Sequence, residues 1–384
     1  MDALYSEEER LLRSSMRVFA ERELAPNAAR WDQNEEFPWV SVEALKGMGL
    51  MGLTMDPAYG GAGAPYTDLA IVGEEIARAC VTTCTTYLTH LSLSSTTIAM
   101  GGNDEQKKRY LPRMTDGSLL GAFALTEPSS GSDAADMQTT ATRDGDDYVL
   151  NGTKIFITNG AEADVYVVFT STDRSLGAKG TSAFIVEKDS PGLSTNPMHG
   201  KMGIRGSGTA EVVFEDVRVP AANLLRAEGE GFRIAMQVID ASRIALATQS
   251  VGLAQAALDA SMRYVQQRAT FGALLKERQA IQFMLADMDT QLTAARLITR
   301  HAAQLKDAGQ PYSKASAQAK LFASEAAHSC ADKAVQIHGG YGFFRESVVE
   351  RLYRDQRIME IYEGTSEVQR IVISRALLKE YAAS

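Results

Sequence analysis

The segment Ile361-Tyr362-Glu363-Gly364-Thr365-Ser366-Glu367-Val368-Gln369-Arg370 carries the most chemical potential in this chain. Ser366-x-x-Gln369 has the pattern of a capping box, so a helix is predicted to begin just after it. Glu363 then stands on a loop beside a glycine that would let a ligand come close. A carboxylate in a dry pocket gains basicity near neutral pH, because desolvation disfavours its charged form. The same glutamate could equally do no more than complement a helix N-terminus. Other clusters are comparably ambiguous by themselves. Phe123-Ala124-Leu125-Thr126-Glu127-Pro128-Ser129-Ser130-Gly131-Ser132-Asp133 offers hydroxyls and free backbone N–H groups at a strand end, suited to a phosphate or an aromatic ring edge. Phe156-Ile157-Thr158-Asn159-Gly160 has a similar make-up. Arg268-Ala269-Thr270-Phe271-Gly272 presents an arginine suited to a diphosphate. Gln336-Ile337-His338-Gly339-Gly340 ends a helical stretch in two glycines.

Several familiar cradles are missing. The chain contains no strand-linked G-x-G-x-x-G, no G-x-x-x-x-G-K-[ST], no G-x-S-x-G and no H-E-x-x-H. A nucleotide cofactor, if bound, would need another kind of site.

The elements that must position these residues fall into three stretches. Residues 1–120 read as helical, with Leu12, Met16 and Phe19 on one face, a break at Pro26, and further helices over 40–48, 67–100 and 106–114. Residues 121–226 read as short strands separated by turn residues. Asn151-Gly152 predicts a type I′ hairpin there, and an antiparallel barrel or sandwich is expected. Residues 227–384 return to helix, predicted over 232–267, 278–308 and 312–338 and from Glu367 onward, as a four-helix bundle. Stripes such as Ile281, Met284, Leu285, Met288 and Leu292 belong to its core. The expected class is multidomain α+β, mostly α.

The 384 residues are 45% hydrophobic, enough to bury a sizeable core, and carry a net charge of −9. The acid is concentrated in the first 226 residues, and no stripe of Lys and Arg suits nucleic acid. No apolar run approaches the roughly 20 residues of a membrane span. The acidic start, Met1-Asp2-Ala3-Leu4-Tyr5-Ser6-Glu7, is unlike a signal peptide. Cys80, Cys84 and Cys330 make a poor disulfide framework or zinc site. A cytoplasmic protein without a metal site is expected.

In combination and order, Leu125-Thr126-Glu127-Pro128 with Gly131-Ser132-Asp133, Arg268-x-x-Phe271-Gly272, Gln336-x-x-Gly339-Gly340 and Tyr362-Glu363-Gly364-Thr365 resemble the acyl-CoA dehydrogenase family, in its short/medium-chain, butyryl-CoA-dehydrogenase-like branch. The resemblance spans essentially the whole chain. It implies FAD between the β-rich part and the C-terminal bundle. Phe123, Leu125, Thr126, Gly131, Ser132, Phe156 and Thr158 would hold the flavin. Arg268, Phe271, Gln336, Gly339 and Gly340 would reach FAD across a subunit boundary of a homotetramer, a dimer of dimers, and Gln279 would also contact the cofactor. Thr365 and Glu367 would add contacts from the loop of the base. Glu363 would take the α-proton of an acyl-CoA while a hydride leaves Cβ for flavin N5, giving a trans-2-enoyl-CoA. Electrons would pass to an electron-transfer flavoprotein. Ser132, Asp240, Arg243, Tyr362 and Gly364 would meet the substrate.

Relatives that carry the base on the preceding long helix have glutamate just before the arginine; here Ser242 precedes Arg243. Ser129-Ser130 stands where many relatives have x-Ala, a mild departure. Thr85 to Leu91 would border the acyl cavity with residues near Ile239, where Tyr87, Thr89 and His90 hint at a polar or aromatic acyl end. His90 reads more readily as a core histidine. Two alternatives remain: an oxidase of acyl-CoA or carrier-bound acyl groups, which would share these motifs and is separable by peroxide formation in air, and a DNA-binding relative of the fold, which would need a basic patch absent here and is separable by salt-dependent DNA retention.

Overall fold

The computed structural model describes residues 4–383, so Met1, Asp2 and Ala3 of the acidic start lie outside the described residues. Ser6 opens α1 (Glu7–Phe19) with a reciprocal cap. Its hydroxyl accepts the Glu9 N–H, and the Glu9 carboxylate accepts the Ser6 N–H. Met16 and Phe19 are buried, as their spacing requires. After α1 the helix widens over Ala20–Leu24 and tightens over Ala25–Asn27, around Pro26, before α2 (Ala28–Asn34) and α3 (Trp39–Gly47). The long helical pattern after Pro65 is interrupted at Cys80, giving α4 (Tyr66–Ala79) and α5 (Val81–Leu88). A π-helical stretch, Thr89–Ser95, leads into α6 (Thr96–Gly101), and α7 (Asp104–Thr115) follows. That widening has a local cause. The hydroxyls of Ser94, Ser95 and Thr96 bond carbonyls four or five residues back, at His90 and Leu91, and compete with the ordinary ladder.

The middle part is a seven-stranded sheet of β1 (Gly121–Ala124), β2 (Thr140–Asp144), β3 (Asp147–Thr158), β4 (Val165–Ser171), β5 (Thr181–Glu187), β6 (Leu193–Pro197) and β7 (Thr209–Pro220). It runs β1-β4-β2-β3-β7-β6 with β5 also on β4, a half-barrel rather than a closed one. Most pairings are antiparallel as expected, but β1 and β4 run parallel, and β2 meets β4 in parallel at Thr140–Ser171. The hairpin expected at Asn151-Gly152 is absent: both residues lie inside the single strand β3. The chain instead turns at Gly145-Asp146, between the paired Asp144 and Asp147. Gly152 (φ +143°) is required by close approach, since a Cβ there would fall 2.6 Å from Thr139 Cα. Asn151 exchanges two hydrogen bonds with Asp216 at a bulge between β3 and β7.

Four long helices of the C-terminal part lie within a residue or two of expectation: α8 (Gly231–Val265), α9 (Gln279–Asp307), α10 (Ser313–His338) and α12 (Ser366–Ala383). The small hairpin β8 (Ala269–Thr270) and β9 (Ala273–Leu274) and the short α11 (Val348–Gln356) lie between them. Alanine-rich faces pack α8 on α10, and Met288 and Leu292 of the predicted stripe are fully buried. Helix α4 packs closely on α8, where Gly252 leaves room for the Glu74 carbonyl. The N-terminal helices are thus joined to the bundle, and the sheet closes over the end where α5, α8 and the loop before α12 meet.

Candidate active site

Two consecutive left-handed residues, Glu363 (φ +55°) and Gly364 (φ +91°), turn the chain into α12. Glycine tolerates this conformation, whereas a glutamate held there stores about 1–3 kcal/mol of strain and needs its surroundings to fix it. The surroundings do so. Gln369 Nε2 donates to the carbonyls of Gly364 (2.8 Å) and Glu363 (3.3 Å), Lys320 Nζ donates to the Gly364 carbonyl (2.8 Å), and Arg243 Nε reaches the Glu363 carbonyl (3.4 Å). The cap differs by one residue from the predicted box. Thr365 Oγ1 accepts the Val368 N–H, while Ser366 Oγ is buried and takes no part. Gln369 is drawn away from the cap because it serves the strained loop.

The Glu363 carboxylate lies against α8, where Ser242 Oγ donates to its Oε2 at 2.6 Å. Burial raises the pKa of this carboxyl above its ordinary value; the Ser242 hydroxyl, Lys320 and Arg243 offset only part of that effect. Arg243 is itself buried and paired to Asp240 through Nη1 at 2.6 Å.

Opposite stands the loop after β1. Backbone hydrogen bonds in both directions between Glu127 and Ser130 close a tight turn. The buried Lys154 of β3 donates to Glu127 Oε1 (2.7 Å) and the Leu125 carbonyl (3.0 Å), while the Gln138 and Thr139 N–H groups donate to the same carboxylate. Burial alone would raise the Glu127 carboxyl, but Lys154 and those donors hold it below the usual range. Ser130 uses its hydroxyl to bond the Asp133 carbonyl at 2.6 Å. Asn159, buried at φ +61°, ties the end of β3 to the Thr86 and Gly121 carbonyls. Phe156, also left-handed, projects a ring that is 62% exposed.

Between these walls lies a cavity of about 300 Å³. Phe123, Leu125, Thr126, Gly131, Ser132, Phe156, Thr158, Arg243, Tyr362, Glu363 and Gly364, predicted from segments far apart in sequence, all line it. Thr85, Leu88, Thr89, Leu246 and Gln249 line it as well. There Tyr362 Oη donates to Gln249 Oε1 (2.7 Å) and Gln249 Nε2 donates to Thr85 Oγ1 (2.6 Å). Tyr87 and His90 do not line it. His90 is a core residue bonded to the Met114 carbonyl and the Gly121 N–H, and Tyr87 is fully buried beside it. Asp240 stands behind Arg243, and Glu367 lies exposed on the first turn of α12. Gln249, Met236, Phe232 and Lys320 were not legible as site residues. The first three blend into the amphipathic pattern of α8, and Lys320 is one lysine in an alanine-rich helix.

Arg268, Phe271, Gln279, Gln336, Gly339 and Gly340 do not reach this cavity within one chain. Arg268, Gly339 and Gly340 line a second, open concavity of about 950 Å³ with Tyr264, Tyr341 and Phe344. Phe271, at the tip of the β8–β9 turn, is 98% exposed. Gln279 and Gln336 are exposed nearby in sequence.

The acyl-CoA dehydrogenase N-terminal, middle and C-terminal domain families match residues 6–118, 122–217 and 229–378. The chain belongs to the acyl-CoA dehydrogenase family and is an oxidoreductase; that family uses FAD. It is 48% identical to the mitochondrial short-chain specific acyl-CoA dehydrogenase of Bos taurus, over 98% of this chain and 91% of that protein. It is 46% identical to acryloyl-CoA reductase (NADH) of Anaerotignum propionicum, over 99% of this chain and 96% of the other. A solved chain from work on the electron transferring flavoprotein of Acidaminococcus fermentans and flavin-based electron bifurcation superimposes with TM-score 0.96 and 46% identity, covering 98% of this chain and all of the other. Among the described residues no helix is long and apolar enough to cross a membrane.

Proposed function

We propose that the protein dehydrogenates a short-chain acyl-CoA at Cα–Cβ, with Glu363 as the base that removes the α-proton. The single observation that carries this reading is the Glu363 carboxylate, held by Ser242 in the wall of a largely apolar cavity and raised in pKa by burial. The cavity suits a flavin ring, with Phe123, Leu125 and Phe156 as apolar walls and the hydroxyls of Thr126, Ser132 and Thr158 at the edges. At Gly131 a side chain would meet nothing within 4 Å, which leaves the backbone open to a ligand. FAD bound there supplies the two-electron acceptor that takes the hydride from Cβ.

The chain's own groups do the rest. Glu363 receives the α-proton and becomes the neutral acid that its buried surroundings favour. Its backbone N–H donates to no group among the described residues and is available to the thioester oxygen as enolate character develops. Arg243, steered by Asp240, and Ser132, Tyr362 and Gly364 would orient the thioester and its CoA. The hydrogen-bonded wall of Thr85, Gln249 and Tyr362 stops the acyl chain, which favours a short group.

Arg268, Phe271, Gln279, Gln336, Gly339 and Gly340 would complete the FAD site of a neighbouring copy in a homotetramer, and Thr365 and Glu367 would contribute from the base's loop. The exposed ring of Phe271 supports a surface that needs a partner. The likeness to a chain studied with an electron transferring flavoprotein supports that class of acceptor. We retain the division at 1–120, 121–226 and 227–384, and place the protein in the cytoplasm, where its three buried free cysteines suit a reducing milieu. The relative named as a reductase favours a second reading in which Cβ of an enoyl thioester would take a hydride from reduced FAD and the same carboxyl, as the acid, would return a proton to Cα.

Glu363→Gln tests the base. The variant should fold and remain yellow, while substrate-dependent bleaching of the flavin falls by several orders of magnitude. Bleaching at the parent rate sinks the assignment.

A further inference from the structure

The hydrogen bond between Ser242 and Glu363 joins residues 121 apart in sequence and is the shortest contact the base carboxylate makes. Ser242 is fully buried on α8 and does not line the cavity. Its hydroxyl has one hydrogen and two acceptors in reach: Glu363 Oε2 at 2.6 Å and the Ile239 carbonyl at 3.1 Å. While Glu363 is ionised, the charge and the shorter distance keep that hydrogen on Oε2. Among the described residues Oε1 receives no hydrogen bond.

We infer that Ser242 is a positioning residue for the base: its hydroxyl fixes Oε2 of Glu363, leaves Oε1 to take the proton, and reverses its hydrogen bond when the carboxylate becomes an acid. This rests on the reading of Glu363 as the base. After proton transfer the acid needs an acceptor for its O–H. A carboxyl rotation of half a turn exchanges the two oxygens and brings the new O–H to the Ser242 lone pair, and the serine hydrogen then moves to the Ile239 carbonyl. No proton leaves the pair; the α-proton remains on Glu363 throughout. A serine that can donate to the charged form and accept from the neutral one accommodates both without leaving a buried polar group unpaired.

The charged and titratable groups around the carboxyl come from every element packed there. They are Arg243 and Asp240 on α8, Lys320 on α10, Glu360 and Tyr362 in the base's own connection, Glu367 at the start of α12, and Asp133 from the loop after β1. Substituting Ser242 by alanine changes none of them and keeps a good helix former in α8. Ser242→Ala removes a donor that favours the carboxylate, so the carboxyl should titrate at higher pH. Activity requires the ionised base, so the acid limb of kcat/KM should move the same way, by about one pH unit, a tenfold loss on that limb. KM above the limb should stay as in the parent.

The direct measurement is an infrared difference titration of the FAD-loaded protein, with the Glu363 acid band identified by its loss in Glu363→Gln. The band's midpoint should rise in Ser242→Ala and return toward the parent in Ser242→Thr. A purely structural role would lower FAD retention or Tm without moving the midpoint. An unmoved midpoint in a folded, flavin-loaded Ser242→Ala overturns the inference even if Glu363→Gln is inactive. If Glu363→Gln turns over normally while the midpoint moves, the hold of Ser242 on the carboxyl is upheld and only the base assignment falls.

Discussion

Lys154→Met removes the cation that straps the loop carrying Leu125, Thr126 and Gly131 to β3. Lys154 is fully buried and bonds both Glu127 Oε1 and the Leu125 carbonyl, so methionine of similar length fills its space but bonds neither. Removing one partner of a buried pair costs about 3–5 kcal/mol, because the other charge is left uncompensated. Here the Glu127 carboxylate keeps the Gln138 and Thr139 N–H donors, which places the cost near the lower end, about 3 kcal/mol. If all of it falls on the ordered flavin loop, FAD should bind roughly 100-fold more weakly, since each 1.4 kcal/mol is tenfold. Equilibrium dialysis of FAD, with urea unfolding followed in parallel, reads both effects. The double variant Lys154→Met/Glu127→Gln should recover part of the loss, because no buried charge remains; recovery stays incomplete because the Gln138 and Thr139 N–H groups bond Oε2 and Oε1 separately and the amide keeps only one oxygen. Parent-like FAD affinity in Lys154→Met, or a double variant as impaired as the single one, would refute this account of the loop.

Shortening Gln249 should lengthen the accepted acyl chain. In Gln249→Ala the bonds to Tyr362 and Thr85 are lost, and room for two methylenes, worth about 0.8 kcal/mol each, should raise the kcat/KM ratio of six-carbon to four-carbon substrate by about tenfold. An unchanged ratio would mean that another residue ends the cavity. Glu363→Gln should also alter stability with a definite sign. The folded carboxyl titrates above its unfolded value, so over that window the folded state holds more protons and stability falls as pH rises. The neutral amide removes this cost. Its Tm should exceed the parent's at pH 7, and the advantage should vanish near pH 4. A lower Tm at pH 7 would show that Lys320 and Arg243 need the charge more than burial opposes it.

Much of this molecule was legible without coordinates. The long helices follow from apolar residues recurring at the helical period, and the ends of α8, α9 and α10 fall within a residue or two of expectation. The five motif segments, three of which line the candidate cavity, were recognisable because each keeps several specific residues close together. Misreadings arose where a local signal had two physical causes. Asn151-Gly152 has the composition of a turn, but Gly152 is there because Thr139 packs against its backbone. Ser366-x-x-Gln369 has the form of a capping box, but Gln369 serves the left-handed Glu363-Gly364 pair and Thr365 makes the cap.

The sequence by itself determined the helical, β, helical order and the family, and it singled out Glu363 as the candidate base, because helix periodicity and motif spacing are short-range properties of the chain. Only the tertiary structure decided that Ser242 grips Glu363, that Lys320 supports Gly364, that Gln249 and Thr85 line the cavity while His90 and Tyr87 sit in the core, and that Arg268 and Gly339 line a separate concavity. Those contacts join positions tens to more than a hundred residues apart. Their geometry is set by how α5, α8, α10 and the sheet pack, and no local pattern of residue types encodes it.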